Sequence, residues 1–172
     1  VEGYWSEIGT FTTAPENDDA FTFIYMTDSH IMNQEYVDDV RLCAEKATEY
    51  TPDARFCVFP GDFVETGTNR NSEWEWERWF DEAVRPVIMQ MPIVPTDGNH
   101  DDSSNQNYTY HFNTDNQFKE NAKVKPQFDG TTYSFMYGDV LFLVYSLQDY
   151  WKGSYNLSTL TSTYLTNDVG NW

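Results

Sequence analysis

"AFTFIYMTDSH", residues 20–30, decides the fold. From Ala20 to Asp28 the run is almost continuously apolar, and it then breaks into a carboxylate, a hydroxyl and an imidazole. Such a run suits a strand buried on both faces, the kind found in parallel sheets covered by helices. Two later segments repeat the pattern. "ARFCVFPGD" (54–62) reads as a second buried strand ending in Gly61-Asp62, and "MPIVPTDGN" (91–99) as a short third strand running into His100 and Asp101.

Helical patterns separate these strands. From Asn33 to Tyr50, Tyr36, Val37, Val40, Leu42, Cys43, Ala44 and Ala47 recur at helical spacing, and Pro52 marks the end. "NSEWEWERWFDEAVRPVIMQ" (71–90) opens at a Ser72 N-cap and sets Trp76, Trp79, Phe80 and Val84 on one face, with Pro86 breaking or kinking its end. The order β-α-β-α-β predicts right-handed crossovers in a parallel α/β sheet. Before it, "GTFTTAP" (9–15) reads as a short strand and "ENDD" (16–19) as linker. After it come an aromatic, Asn-rich loop (103–118), a hairpin over 131–148 turning at Gly138-Asp139, and a tail from Leu157 that starts a further helix.

At 172 residues, 40% hydrophobic and 17% aromatic, the chain carries a core and is no disordered segment. No apolar run reaches the roughly 20 residues of a membrane span. Asp and Glu outnumber Lys and Arg by 28 to 10, a net charge of −18, which argues against nucleic-acid binding. An acidic chain that handles an anionic substrate must find positive charge elsewhere, and bound metal ions supply it. Cys43 and Cys57 read as buried free thiols or as a helix-to-strand bridge. The sequons at Asn107 and Asn156 matter only in a secreted protein; a secreted or periplasmic location is the expectation.

The three strands end in Asp28-Ser29-His30, Gly61-Asp62 and Gly98-Asn99-His100-Asp101. In a parallel sheet these C-terminal ends share one edge, where ligands bind. A single strand-end Asp is ordinarily a helix cap; three clusters together predict convergence. Their carboxylates, imidazole and amide oxygen form a mixed O/N set suited to Mn, Fe or Zn. A calcium-loop reading of Asp97, Asn99 and Asp101 fails, because Asp102 stands where that loop needs glycine and Tyr108 where it needs glutamate.

"DSH" (28–30), "GDFVE" (61–65) and "GNHD" (98–101) resemble, in order and separation, the N-terminal motifs of the calcineurin-like metallophosphoesterases. The resemblance runs over about residues 20–172. It implies one half of a four-layer α/β/β/α sandwich with a mixed sheet. It also implies a phosphoester hydrolase working on a small-molecule or phosphorylated substrate, with a hydroxide nucleophile bridging two divalent or trivalent ions. By motif, Asp28 and His30 would ligate the first ion, Asp62 would bridge both and Asn99 would ligate the second. His100 would be the acid or phosphate contact, with Asp101 orienting it. Purple acid phosphatases are the nearest branch, but Glu65 stands where they carry the chromophore Tyr. Three further histidine ligands are expected beyond Trp172, so residues 16–172 read as the N-terminal half of the domain, inactive alone. The remaining His111 reads as structural or substrate-side. "GYWSEIGTFTTAP" (3–15) resembles the last strand of a fibronectin-III-like domain, making residues 1–15 a remnant of that domain and its linker. The competing reading is a non-catalytic carbohydrate- or protein-binding module on a degenerate phosphoesterase scaffold, using aromatics such as Tyr108, Tyr110, Phe112 and Phe118.

Overall fold

A computed structural model of the chain describes residues 7–14, 20–67, 72–101, 107–112, 131, 133–144 and 146. The expected linker at 16–19, Asp102, Phe118, the Asn156 sequon and the helix start at 157–172 lie outside them. Strands β1 (Thr22–Tyr25), β2 (Ala54–Phe59) and β3 (Ile93–Pro95) form a parallel sheet in that order, with β2 in the middle. Helix α1 (Gln34–Tyr50) connects the first two. The Asn33 side chain accepts from Tyr36 N–H at 3.2 Å to cap it, and Thr51 N–H closes its last turn on Ala47 C=O before Pro52.

The second helical stretch is not one helix. It divides into α2 (Glu73–Arg78), a π-helical turn (Trp79–Ala83) and α3 (Arg85–Ile88). The run breaks at Val84, just before Pro86, as the sequence predicts; Pro86 then lies in the first turn of α3, where its missing N–H costs no hydrogen bond. Ser72 occupies the N-cap position, but its side chain makes no capping hydrogen bond.

The helices cover one face of the sheet. Phe59, Phe63, Trp76, Trp79, Ala83, Val84, Val37 and Ile31 form one buried cluster, and Ile24, Cys57, Ala44, Val87 and Met91 another. A buried Trp removes on the order of 200 Å² from water, roughly 5 kcal/mol at about 25 cal/mol per Å². Trp76 and Trp79 therefore anchor the helical layer. Phe56 points to the opposite face of β2, where the hairpin of β4 (Tyr133–Tyr137) and β5 (Val140–Val144) packs. The Phe56 ring lies 5.8 Å from Phe135 and 5.3 Å from Phe142, both edge-on, and Phe21 and Phe23 join this group. The hairpin turns at Gly138-Asp139, as the sequence predicts, with Gly138 at φ 56°. Helices, parallel sheet and hairpin thus form successive layers of an α/β fold.

Five local expectations need correction. β1 is not buried on both faces: the hairpin rings reach Phe21 and Phe23, while Tyr25 stays exposed. On α1 the buried stripe is Val37, Ala44 and Thr48, so Tyr36, Leu42 and Cys43 point to solvent. Both cysteines are free, Cys43 exposed and Cys57 buried, so neither the bridge nor a buried Cys43 is found. Residues 9–14 form no strand: among the described residues only Thr10 N–H of this stretch reaches a neighbour's backbone, Met89 C=O at 2.9 Å, and Ile8 and Phe11 are exposed. Within the Asn-rich segment, Asn107–His111 is a short helix, α4, because Tyr108 and Phe112, one turn apart, pack on Phe63.

Candidate metal centre

The loops after β1 and β2 continue side by side beyond the strands. Asp28 N–H donates to Gly61 C=O at 3.3 Å, His30 N–H to Asp62 C=O at 3.0 Å and Ile31 N–H to Phe63 C=O at 3.3 Å. Along this seam Asp28, His30 and Asp62 have φ of 56°, 43° and 52°. They are the only non-glycine residues with positive φ among the described residues. That conformation costs about 1–3 kcal/mol each and persists only where the surroundings over-determine it. The strain falls on three of the four residues that the sequence picks as metal ligands.

Their side chains meet. His30 Nε2 lies 3.8 Å from Asp28 Oδ1 and 3.7 Å from Asp62 Oδ2, and the three ligand atoms are all within 4.8 Å of one another. His30 Nδ1 faces Glu65 Oε2 at 2.8 Å. An ionised carboxylate only accepts, so Nδ1 donates to it, and in the neutral ring this leaves the lone pair on Nε2, the nitrogen that faces Asp28 and Asp62. This arrangement fits a cation: two carboxylate oxygens and one unprotonated imidazole nitrogen, with the imidazole held by an outer carboxylate. Among the described residues the ion pairs of Lys and Arg lie elsewhere: Arg41 with Asp38, Lys46 with Glu49, Arg78 with Glu82 and Arg85 with Glu7. Three carboxylates, Asp28, Asp62 and Glu65, therefore crowd one site, and among the described residues no Lys or Arg pairs with them.

The third loop docks on the second through two glycines. Gly61 has φ 97°, and a Cβ on it would fall onto the Gly98 nitrogen, 2.6 Å from Gly98 Cα. A Cβ on Gly98 would in turn meet the nitrogen and Oδ1 of Asp62. Neither position has room for a side chain. The contact lets His100 N–H donate to Asp62 Oδ1 at 2.9 Å, leaving Oδ2 on the His30 side. Asn99 lies exposed in the turn at 99–101.

His100 enters the same site. Its ring stands edge-on to His30 with centroids 4.6 Å apart. Its Nδ1 donates to the Glu65 carbonyl at 2.7 Å and lies 3.6 Å from the Glu65 carboxylate. That carbonyl hydrogen bond, together with the Glu65, Asp62 and Asp101 carboxylates, holds the His100 pKa above its usual value despite some desolvation. Asp101, expected to orient His100, is fully buried and accepts from Phe63 N–H (3.0 Å), Val64 N–H (3.3 Å) and Gly98 N–H (3.0 Å). Burial pushes its carboxyl up to about 7 against those hydrogen bonds. Its contacts pin the second loop to the third, while Glu65 holds the His100 ring. Glu65, whose carboxylate reaches both imidazoles, is the site residue that sequence reasoning missed. Its place in "GDFVE" was the available signal.

His111 lies apart from these groups. It stacks on Trp76 at 4.4 Å and 12°, and its Nε2 is 2.8 Å from Glu73 Oε1. No curated protein matches the chain. The family model of the calcineurin-like phosphoesterases matches residues 21–168, a stretch that contains every residue of this centre. The chain belongs to the calcineurin-like phosphoesterase family.

Proposed function

We propose that the protein hydrolyses phosphoesters at a two-metal centre formed on the edge of the β1-β2-β3 sheet. The family implies metal-dependent phosphoester hydrolysis; the number of ions and the residue roles are our reading. The observation that carries it is the convergence of Asp28 Oδ1, His30 Nε2 and Asp62 Oδ2 from two strand ends in strained backbone. Asp28, His30 and Asp62 would hold the first ion, and Asp62 with Asn99 would hold the second. When bound, the ions would supply an activated water as nucleophile and neutralise charge on the transferring phosphoryl group.

The chain's own residues do the rest. His100 has its Nδ1 proton committed to the Glu65 carbonyl, so Nε2 is the nitrogen that meets substrate. Its raised pKa favours the protonated form, which hydrogen-bonds a phosphoryl oxygen and passes a proton to the departing alkoxide or phenoxide. The acidic site repels a phosphate until cations occupy it, which makes metal loading a condition of substrate binding. The test is hydrolysis of p-nitrophenyl phosphate and bis-p-nitrophenyl phosphate by the intact protein with Mn²⁺. Asp62→Asn and His100→Ala are each expected to lower kcat at least 100-fold; near-normal turnover in both sinks the proposal.

A further inference from the structure

Trp79 is fully buried, and it opens the π-helical turn that is closed by Val84 N–H on its own carbonyl at 3.0 Å. Such turns are rare and frequently mark functional sites. Its indole N–H donates to Ser29 Oγ at 3.0 Å, and Ser29 Oγ–H donates to Phe63 C=O at 2.7 Å. Ser29 stands between Asp28 and His30, and it is buried where Asp28 is exposed. The peptide unit that carries the Phe63 carbonyl also carries Val64 N–H, which donates to Asp101 Oδ1 at 3.3 Å. A directed series thus runs from Trp79 N–H through the Ser29 hydroxyl and the 63–64 peptide to the Asp101 carboxylate. It touches the helix layer and all three strand-end loops. Each hydrogen bond polarises the next.

We infer that Trp79 and Ser29 are positioning residues for the metal centre, holding Asp28 and His30 in the left-handed backbone from which their ligand atoms converge. The inference rests on the metal-centre reading above. Trp79 also packs edge-on against Phe59 and Phe63, but a Phe in its place would supply only such apolar contact and no hydrogen bond to Ser29. Ser29 needs a hydroxyl because it must accept from the indole and donate to the carbonyl at once. Without that tie the residue between two strained ligands has lost the side-chain contact that fixes it to the neighbouring loop.

The experiment is Mn²⁺ titration of the intact protein by calorimetry, with Tm measured in parallel, for Trp79→Phe, Ser29→Ala and the double variant. Trp74→Phe, a half-exposed tryptophan on α2, is the control. Loss of an outer-sphere partner typically costs about 10–100-fold in metal affinity. Each single variant is expected to weaken Mn²⁺ binding about tenfold or more, with the double variant no weaker than the weaker single. Trp74→Phe is expected to bind as the wild type does. Singles that lower Tm but keep the wild-type Kd within twofold overturn the inference, as do losses that simply multiply in the double variant. If Trp79→Phe does not fold, Ser29→Ala decides. A wild type that binds no Mn²⁺ contradicts the metal centre itself, an outcome distinct from equal binding by wild type and variants.

Discussion

The carboxylate of Glu65 lies 2.8 Å from Nδ1 of His30, and that contact determines which imidazole nitrogen can meet a cation. With Nδ1 protonated, Nε2 faces Asp28 and Asp62. Replacing Glu65 by Ala frees the ring to turn and to change tautomer. Metal affinity is expected to fall about 10–100-fold, while Glu65→Gln, whose amide oxygen still accepts, loses less. Calorimetric titration with Mn²⁺ separates the two, and equal affinity in wild type and Glu65→Ala would remove Glu65 from the site.

Gly98→Ala tests the contact between the second and third loops. A methyl there meets Asp62, so either the loops part or Asp62 leaves its position. Overpacking of this kind costs typically about 1–3 kcal/mol. The expected signature is a modest fall in Tm with a disproportionate loss of metal-dependent activity. A variant with wild-type kcat/KM and Tm would show that the loops tolerate the separation.

Asp101 is a stability residue by its contacts. Asp101→Ala strands the N–H groups of Phe63, Val64 and Gly98 in a buried setting. Each such orphan costs about 1–3 kcal/mol, so urea unfolding should show a loss on the order of 3 kcal/mol or more. A change under about 1 kcal/mol would mean that water replaces the carboxylate.

Much of this site was legible because parallel strands put their C-terminal residues on one edge. Asp28, His30, Asp62 and His100 could be placed from strand ends alone, and the structure brings them together. What the sequence hid depends on three-dimensional partners. Glu65 follows no strand or helix period; it matters because its carboxylate and its carbonyl each meet a different imidazole. Asp101 sits beside His100 in the chain, yet its carboxylate turns into the backbone of the second loop. The 71–90 segment reads as one helix because its apolar spacing tolerates a single wide turn, and propensity does not encode the π-turn at Trp79. Tyr36, Leu42 and Cys43 are apolar but fall off the Val37-Ala44-Thr48 stripe, which only packing selects.

The two thiols should differ sharply. Burial raises the Cys57 thiol from its ordinary 9.0 to about 12, whereas Cys43 is exposed. At pH 8 the native protein should react with one equivalent of a thiol reagent, and with two in denaturant. Because the folded-state value is the higher one, burial of neutral Cys57 stabilises fully below about pH 9. That stabilisation is lost as pH rises toward 12, where the unfolded thiol ionises first. Two equivalents reacting rapidly in the native state would contradict the buried position of Cys57.

The most direct measurement is metal content against turnover in the intact protein, by elemental analysis and p-nitrophenyl phosphate hydrolysis on the same preparation. The prediction is about two ions per chain, activity abolished by chelation and restored by Mn²⁺, Zn²⁺ or Fe, and neither loading nor turnover recovered in Asp62→Asn. Hydrolysis that persists after complete metal removal, or an Asp62→Asn variant that loads and turns over like the wild type, would contradict a metal centre built on Asp28, His30 and Asp62.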